Sequence, residues 1–437
     1  MAMVSQTVMW TVDSIMVGRL GKVELAGVGL GGLLVITLYS FFMGLSYSTN
    51  TYIAQSFGAG RYRACATYLW QGVYLSVVIG AIILIVRGFI PGTIDLLGPK
   101  PEVRPFSVDY ANIRMLSGPF FILHYYLAHF FRGIGNTRTP MKVAIFANAV
   151  NIGLDYLLIF GPGPFPAMGV EGAAWATSAA NVLSALSLGA IVVSKPYRDR
   201  FGTLREWRLR LRAVRELLRL GAPIGFHYIL DIGCFLAFAA YVGRMGTDQL
   251  AANQIMIQVL ALSFMPANGI SVAAVTLVGQ YLGAGKPDLA RKSGQNAIRI
   301  VLIFAGIVAA VYMIFPELLV KMFNGDPEVV RLGKRLIVIA AVFQLFDALQ
   351  IVAAGALRGA GDVKSPMLLA LGGGWLVFLP LAYYFGTVRG GGVVGAWTGA
   401  TIELVLLGMA MFMRFRMGSW RQIRLLSRED DRTETIS

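Results

Sequence analysis

The stretch GRLGKVELA at Gly18–Ala26 recurs as GRMGTDQLA at Gly243–Ala251, 225 residues later. Three such matches at nearly one offset indicate that the chain is two copies of one unit. The other two matches, in the same order along the chain, pair AQSFGAGR (54–61) with GQYLGAGK (279–286), and RGIGNTRTPM (132–141) with RGAGDVKSPM (358–367).

Long apolar runs fill both copies. The chain is 56% hydrophobic and 14% charged, whereas soluble domains carry about 25% charged residues. A run of about 20 apolar residues can span a bilayer as a helix, and the continuity of these runs favours helices over a β-barrel. The twelve runs cover residues 1–18, 30–54, 66–86, 107–131, 140–160, 170–193, 221–243, 252–278, 294–315, 334–356, 365–386 and 393–413.

We therefore predict an all-α membrane protein with twelve transmembrane helices in two six-helix bundles related by pseudo-twofold symmetry. Six helices per copy make the repeats parallel, which is a plan of secondary transporters that work by alternating access. The first bundle is expected over 1–194 and the second, with a basic cytoplasmic tail, over 220–437. Since Pro223 of the second copy maps to a position before residue 1, we expect the first copy to lack a cytoplasmic lead-in.

A basic amphipathic linker is expected between the bundles, over 195–219. Its segment REWRLRLRAVRELLR (205–219) places Trp207, Leu211, Val214 and Leu218 at helical spacing among arginines. This pattern predicts a helix that lies on the anionic inner leaflet, with a solvated basic loop as the alternative.

The net charge of +15 is distributed as a topology signal rather than as a nucleic-acid surface. With the N-terminus inside, the inner loops and tail hold 25 basic residues and the outer loops hold 11. The positive-inside rule then predicts that both termini are cytoplasmic. Cys65 and Cys234 form no metal or redox pattern.

Five acidic residues lie well inside the predicted spans, where each ionised carboxylate costs about 2.5–3.5 kcal/mol on insertion scales. The basic residues nearest to span interiors, Arg114 and Arg299, lie close to predicted helix ends. Unpaired acid in a membrane cavity indicates binding of Na⁺, H⁺ or a charged drug. The five are Asp13, Asp155, Asp231, Asp347 and Glu403.

Helical spacing groups some of these acids with other polar side chains. Asn148, Asn151 and Asp155 share one face of the fifth helix, and their oxygens suit a hard cation. His227 precedes Asp231 by four residues, so the pair can meet; the histidine either couples protons or is structural. Glu403 either lines a second cavity or pairs with a nearby Arg or His.

Four motifs, spread over essentially the whole chain, resemble the multidrug and toxic compound extrusion (MATE) family. The resemblance is to the bacterial NorM-like branch, with some DinF-like features. It implies a secondary active multidrug efflux antiporter and not an enzyme. Such a protein exports cationic drugs and dyes in exchange for Na⁺ or H⁺. We expect it to need no other cofactor and to be a monomer. The motifs are VDSIMVGRLG (12–21), AANQI (251–255), GQYLGAG (279–285) and FDALQIVAAGALRGAGD (346–362).

The resemblance also implies roles for individual residues of the first half. An aspartate on the family's first helix joins polar residues of the fifth and sixth helices around the coupling cation. Carried over, this set is Asp13, Asn151, Asp155 and Thr177, and the first three form a possible Na⁺ site.

In the second half, Asp231 and Asp347 match acidic positions of the NorM-like branch. The tyrosine that this branch carries four residues before the second acid is Phe343 here, which removes a hydroxyl ligand. Phe343 and Phe346 either offer cation–π faces to a substrate or simply pack. We therefore expect a substrate site or a second cation site from Asp231, Asp347, Phe343, Phe346, His227 and Glu403.

Two other functions compete with export of cations. A flippase for a lipid-linked precursor, from the same broader superfamily, would need deep Lys or Arg for a polyanionic head group, and the predicted spans carry carboxylates. A membrane enzyme would need a catalytic motif, and we find no Ser/His/Asp set, HExxH motif or phosphate-binding loop.

Overall fold

The structure, a computed structural model, describes residues 2–162, 166–423 and 425–426, without the side chains of residues 2–8, 10 and 262. In this part of the chain every regular element is helical. The chain forms two compact units, Met1–Gly225 and Phe226–Ser437. Three arginines of the predicted basic tail, Arg424, Arg428 and Arg432, lie outside the described residues.

The first unit holds the first six predicted spans and the linker. A short 3₁₀ turn at Arg87–Phe89 separates its third and fourth helices. Its helices are α1 (Ala2–Gly18), α2 (Lys22–Gly58), α3 (Tyr62–Val86), α4 (Ile90–Leu97), α5 (Arg104–Leu116), α6 (Gly118–Gly133), α7 (Arg138–Phe160), α8 (Gly169–Val193) and α9 (Lys195–Phe201).

The second unit holds the other six spans, although its first helix begins within the first unit. Its eleventh span is interrupted by two π-helical stretches, Gly372–Phe378 and Tyr384–Val388. Its helices are α10 (Leu211–Gly243), α11 (Thr247–Gly283), α12 (Pro287–Ile314), α13 (Pro316–Lys321), α14 (Pro327–Ala360), α15 (Lys364–Leu371), α16 (Leu379–Tyr383) and α17 (Gly392–Met417).

Ten helices of the described chain are long and apolar enough to cross a membrane. The other two spans consist of shorter helices. Helix α1 has 17 residues, and the fourth span is split between α5 and α6. With these two included, the predicted all-α architecture with six spans in each unit is confirmed.

The split in the fourth span follows from Pro119, which lacks a backbone N–H and cannot continue the helix that ends at Leu116. Two hydroxyls bond the carbonyl oxygen of Arg114 at the break: Tyr39 donates at 2.9 Å and Ser117 at 3.0 Å. The break therefore leaves Arg114 in the last turn of α5, at a helix end inside the unit.

The linker is helical only in part. Helix α9 covers its start, residues 202–210 are not helical, and α10 begins at Leu211 and continues into the seventh span. Side chains of α3 bond the irregular stretch: Gln71 Nε2 donates to Arg208 O at 3.1 Å, and Gln71 Oε1 accepts from Arg210 N at 3.0 Å. These bonds satisfy the backbone without a helix, so the predicted amphipathic helix over 205–219 is wrong for residues 205–210.

The close approach of α7 and α8 depends on Gly172. A Cβ at this position would overlap the Leu158 carbonyl, with its carbon at 2.6 Å, whereas a Cβ at Gly153 on α7 meets no atom within 4 Å. The backbone of Leu158 cannot move aside as a flexible side chain can. A Cβ at Gly172 should therefore disturb the packing, whereas a Cβ at Gly153 should not.

We expect Gly172→Ala to destabilise the protein by about 1–3 kcal/mol through overpacking, and Gly153→Ala to be neutral or stabilising because alanine favours helix. Thermal unfolding of the two purified variants in detergent measures the difference. Equal unfolding temperatures for both would show that α7 and α8 do not need this contact.

The second unit is built around large buried aromatic side chains. Trp397 on α17 is fully buried, and its Nε1 donates to Asn253 Oδ1 on α11 at 2.8 Å. Phe238 on α10 and Phe343 on α14 approach the indole edge-on, with centroid distances of 5.1 and 5.3 Å. Trp397 thus fixes the positions of the helices that carry the acids of this unit.

Candidate functional site

In the first unit, the predicted cation-coupling residues lie on three helices that pack together, α1, α7 and α8. Asn151 and Asp155 are fully buried, Thr177 is buried and Asp13 is half-buried. The carboxyl groups of Asp13 and Asp155 adjoin each other. The spacing of Asn151 and Asp155 on one helix face, read from the sequence, agrees with their common burial.

An apolar cluster lies directly beside this polar layer. Val17, Ile159 and Ala173 are all buried and contact one another. Each of them lies four residues, about one helical turn, from Asp13, Asp155 or Thr177 respectively. The same faces of the three helices therefore carry a polar layer. An apolar layer lies next to it, one helical turn towards the Gly18 end of α1. This arrangement brings Thr177 into the layer of the two acids.

Several buried polar atoms of this layer have no hydrogen-bond partner among the described residues. Two ionised carboxylates cannot donate to each other, so their proximity does not satisfy them. The Thr177 hydroxyl donates to Ala173 O at 2.9 Å, which leaves its oxygen free to accept. The unpartnered atoms are Asp13 Oδ1, both carboxylate oxygens of Asp155, and Oδ1 and Nδ2 of Asn151.

Arg114 is a member of this site that the sequence analysis left without a role. Its guanidinium acts electrostatically on both Asp13 and Asp155, and its Nη1 is buried without a hydrogen-bond partner. The signal was present in the sequence as a basic residue inside an apolar run, five residues before Pro119. One guanidinium therefore faces a pair of carboxyl groups in this layer.

The donor set of this layer fits a small cation. Unpartnered buried polar atoms cost about 1–3 kcal/mol each, and a cation or proton between the acids would remove part of that cost. Carboxylate, amide and hydroxyl oxygens are the hard ligands that Na⁺ prefers, and two adjacent carboxyl groups can equally share a proton.

In the second unit, three predicted acids lie on three helices. Asp231 on α10 is exposed, Asp347 on α14 is half-buried and Glu403 on α17 is buried. The Asp231 carboxylate acts electrostatically on both of the others. Asp231, Asp347 and Glu403 thus form a group of acidic residues in the second unit.

Glu403 packs against the first π-helical stretch of the eleventh span. Its Oε1 has no hydrogen-bond partner in the described part of the chain and lies where a Cβ on Gly373 would be. Next to this contact, Cys234 Sγ on α10 donates to Gly374 O at 3.2 Å and Trp375 Nε1 donates to Leu230 O at 3.3 Å. Single π turns occur often at functional sites, and the sequence contained only the triple glycine 372–374 as a signal.

His227 and Asp231 meet as their spacing predicts, with Nε2 2.9 Å from Oδ2.

The two aromatic residues predicted for this site, Phe343 and Phe346, pack against apolar side chains. Phe343 lies partly buried against the Trp397 cluster, and Phe346 lies partly buried in a second apolar cluster of the same unit. Both rings therefore pack against apolar clusters, and each remains only partly buried.

A cavity of 680 Å³ in the second unit lies away from these acids. Loops and helix ends line it, among them Asp248, Arg331 and Arg389, and no predicted site residue does. Arg331 is already paired with Glu328, which neutralises part of its charge.

Comparison with known proteins gives consistent results. The family model MatE matches residues 1–157 and 223–384. A probable multidrug resistance protein NorM of Pseudomonas putida is 30% identical over 429 residues, which cover 97% of this chain and 92% of the relative. The multidrug resistance protein PmpM of Pseudomonas aeruginosa is 30% identical, with coverage of 100% and 93%.

Solved structures share the fold. One, described as the outward-facing conformation of a multidrug resistance MATE family transporter of the MOP superfamily, has a TM-score of 0.89 at 22% identity and covers 97% of this chain and 94% of its own. A MOP superfamily transporter from Pyrococcus furiosus, described as having a binding pocket of reverse polarity, has a TM-score of 0.89 at 23% identity, with coverage of 97% and 94%. At these identities the similarity concerns the fold alone.

The predicted resemblance is confirmed by a family model that matches most of the chain and by relatives that align with nearly all of it. With twelve spans in two units, this multi-pass membrane protein belongs to the MatE family.

Proposed function

We propose that the protein is a secondary active multidrug efflux antiporter, which exports organic cations across a bacterial or archaeal plasma membrane in exchange for Na⁺ or H⁺. Membership of the MatE family and the names of its multidrug-resistance relatives support this function. The single observation that carries the coupling step is the layer of buried, unpartnered oxygens around Asp13 and Asp155.

The coupling cation neutralises that layer. If the cation is Na⁺, Asp13 and Asp155 supply the charge, and Asn151 and Thr177 supply neutral oxygens. If it is H⁺, the two carboxyl groups share the proton, and the side chains of Asn151 and Thr177 orient them. In either case neutralisation changes the packing of α1 against α7 and α8, and by reciprocity a state that binds the cation well binds the drug less well.

The acids of the second unit attract the drug. Asp231 presents an exposed carboxylate, and Asp347 and Glu403 add negative charge around it. An organic cation that leaves water loses hydration, and fixed carboxylates in a low-dielectric cavity compensate for that loss.

A flippase for a lipid-linked precursor is the alternative. Such a cargo carries a polyanionic head group and requires several basic side chains around it. Arg114 lies beside two carboxylates, so the electrostatic balance of this region favours cationic over anionic cargo. Binding of ethidium and of an undecaprenyl-linked sugar to the purified protein in detergent discriminates between the two functions.

Proteoliposomes with independently imposed Na⁺ and pH gradients test the proposed function. We expect ethidium to move against its own gradient when one of the two ion gradients is directed inward, and not when both are absent. Ethidium movement that is insensitive to both gradients would contradict antiport.

We propose further that both termini are cytoplasmic and that the linker contacts anionic lipid. Side chains of α3 form hydrogen bonds with the backbone of its irregular stretch, including one from Trp70 Nε1 to Thr203 O at 2.5 Å. Between and beside its arginines, Trp207, Leu209 and Leu211 expose 57–74% of their surface. Alternating basic and large apolar side chains are suited to an anionic membrane interface.

Replacing the linker arginines Arg208, Arg210, Arg212 and Arg215 with Gln should weaken retention of anionic lipid, because each basic residue near such a surface contributes about 1 kcal/mol. Native mass spectrometry of the purified protein measures the retained phosphatidylglycerol. Ethidium binding in detergent should not change.

The matched control removes the same charge from the predicted outer side: Arg244, Arg331, Arg335 and Arg389 to Gln. Equal lipid loss in both variants would contradict a specific lipid contact at the linker, and loss of ethidium binding in the linker variant would show that the linker has another role.

A further inference from the structure

Arg358 belongs to the repeated motif RGAGDVKSPM, which the sequence places in a cytoplasmic loop. In the structure it lies in the last turn of α14 and is only 9% exposed. Its guanidinium stacks on the ring of Tyr228, 5.5 Å from the centroid, and its Nη2 lies 3.4 Å from His227 Nδ1. Because burying a charge costs free energy, a guanidinium this deeply buried requires contacts that compensate for its lost hydration.

The contact with His227 has one consistent assignment of protons. A guanidinium only donates hydrogen bonds, so Nδ1 of His227 must accept and carry no proton. The remaining ring proton then sits on Nε2, which lies 2.9 Å from Asp231 Oδ2 and donates to it. His227 is 2% exposed, so water does not compete for either nitrogen. The neighbours therefore select the neutral Nε2–H form of the imidazole.

The chain of hydrogen bonds ends on the exposed carboxylate of Asp231. Asp231 exposes 53% of its side chain, and one of its oxygens is held by the imidazole while the other is free to meet a cation. Without the bond from His227, the carboxylate would rotate about its side-chain torsions, and a cation would have to order it on binding.

The same helix joins Arg358 to a second acid. Asp347 and Arg358 are 11 residues apart on α14, which is close to three helical turns, so they lie on one face about 16 Å apart along the axis. Both residues interact with the same short stretch of α10. Asp347 lies in the electrostatic range of Asp231, and Arg358 contacts His227.

We propose that Arg358 is a positioning residue of the substrate site: through the neutral Nε2–H tautomer of His227 it holds the Asp231 carboxylate in the orientation that binds an organic cation. This inference rests on the proposed function in its second part, binding of a cation at Asp231. Its first part, control of the tautomer, does not depend on transport.

The tautomer can be measured directly because the chain contains three histidines, His124, His129 and His227. Full-length protein labelled with ¹⁵N-histidine and reconstituted in lipid gives one imidazole spectrum per residue by solid-state NMR, and His227→Gln identifies its signals. We expect a neutral Nε2–H imidazole for His227 in the wild type and in Arg358→Lys, which retains the donor. Arg358→Met should lose this single form. An Nδ1–H or cationic His227 in the wild type would overturn the proposal.

Ethidium binding to the same proteins in detergent tests the second part. We expect Arg358→Met to weaken binding about tenfold, as for loss of a hydrogen bond to a charged group, and Arg358→Lys to restore most of it. Lys292→Met, which removes an exposed charge from α12 of the same unit, is the control. If Arg358→Met keeps the tautomer and the affinity of the wild type, the proposal is wrong. A wild type that binds no ethidium contradicts the proposed function, and the NMR result then decides the role of Arg358 alone.

Discussion

Vesicles that carry Asp13→Asn should show no ion-driven ethidium efflux, although the variant folds and inserts as the wild type does. The amide is nearly isosteric with the carboxylate and can still form hydrogen bonds, so the packing of α1 on α7 should survive. It contributes no charge to a Na⁺ site and cannot release a proton. Loss of one charged ligand should weaken cation binding by roughly 10- to 100-fold.

The same variant distinguishes the two coupling ions when it is compared with the wild type. Coupling to H⁺ requires that wild-type efflux falls as external pH rises in the absence of Na⁺, because fewer protons are then available to neutralise the carboxyl pair. Coupling to Na⁺ requires that efflux at constant pH follows the Na⁺ gradient. Asp13→Asn should be inactive in both experiments.

Asp109→Asn is the matched control, since Asp109 is an exposed carboxylate on α5 of the same unit. It should retain wild-type efflux in vesicles that contain equal amounts of folded protein. Wild-type rates in Asp13→Asn would show that coupling does not use the first unit, and would leave Asp231 and Asp347 as candidates.

Asp347→Asn should reduce efflux of cationic substrates about tenfold or more, since a fixed charge in a low-dielectric cavity attracts a cation more strongly than an amide dipole does. Phe343→Leu should have a smaller effect on efflux. The ring of Phe343 packs edge-on to Trp397 at 5.3 Å, so its loss affects stability more than substrate attraction.

Initial efflux rates and unfolding temperatures of the two variants, measured side by side, separate these effects. We expect Asp347→Asn to combine slow efflux with normal stability, and Phe343→Leu to combine a lower unfolding temperature with efflux near the wild-type rate. Similar efflux by both variants would assign Asp347 a structural role.

Hydropathy predicted the spans well because a bilayer requires long apolar helices, and the repeat predicted their division into two sets of six. Helix ends were less predictable. The apolar run 107–131 did not predict a break, since the effect of Pro119 depends on hydroxyls from other segments that accommodate it, notably Tyr39. The non-helical stretch 202–210 depends in the same way on Gln71, which is 137 residues from Arg208.

The site was predictable to the extent that it depends on spacing within one helix. The four-residue spacing of His227 and Asp231 and the helix face of Asn151 and Asp155 could be read directly. The same four-residue spacing, counted along each helix from Asp13, Asp155 and Thr177, leads to Val17, Ile159 and Ala173 of the apolar layer. Contacts between distant segments, such as Arg358 with His227, were not predictable, because nothing in one sequence gives the rotation of one helix against another.

The apolar layer of Val17, Ile159 and Ala173 has a consequence for the energy balance of the cell. An ion that passed this layer without the movement of a helix would dissipate the electrochemical gradient and export nothing. Three close-packed hydrocarbon side chains oppose such leakage, because a bare ion in their place would lose its hydration and gain no ligand. In the proposed antiport, passage of the ion past these side chains therefore requires a conformational cycle, and packing as well as affinity would protect the stoichiometry of ion entry to drug exit.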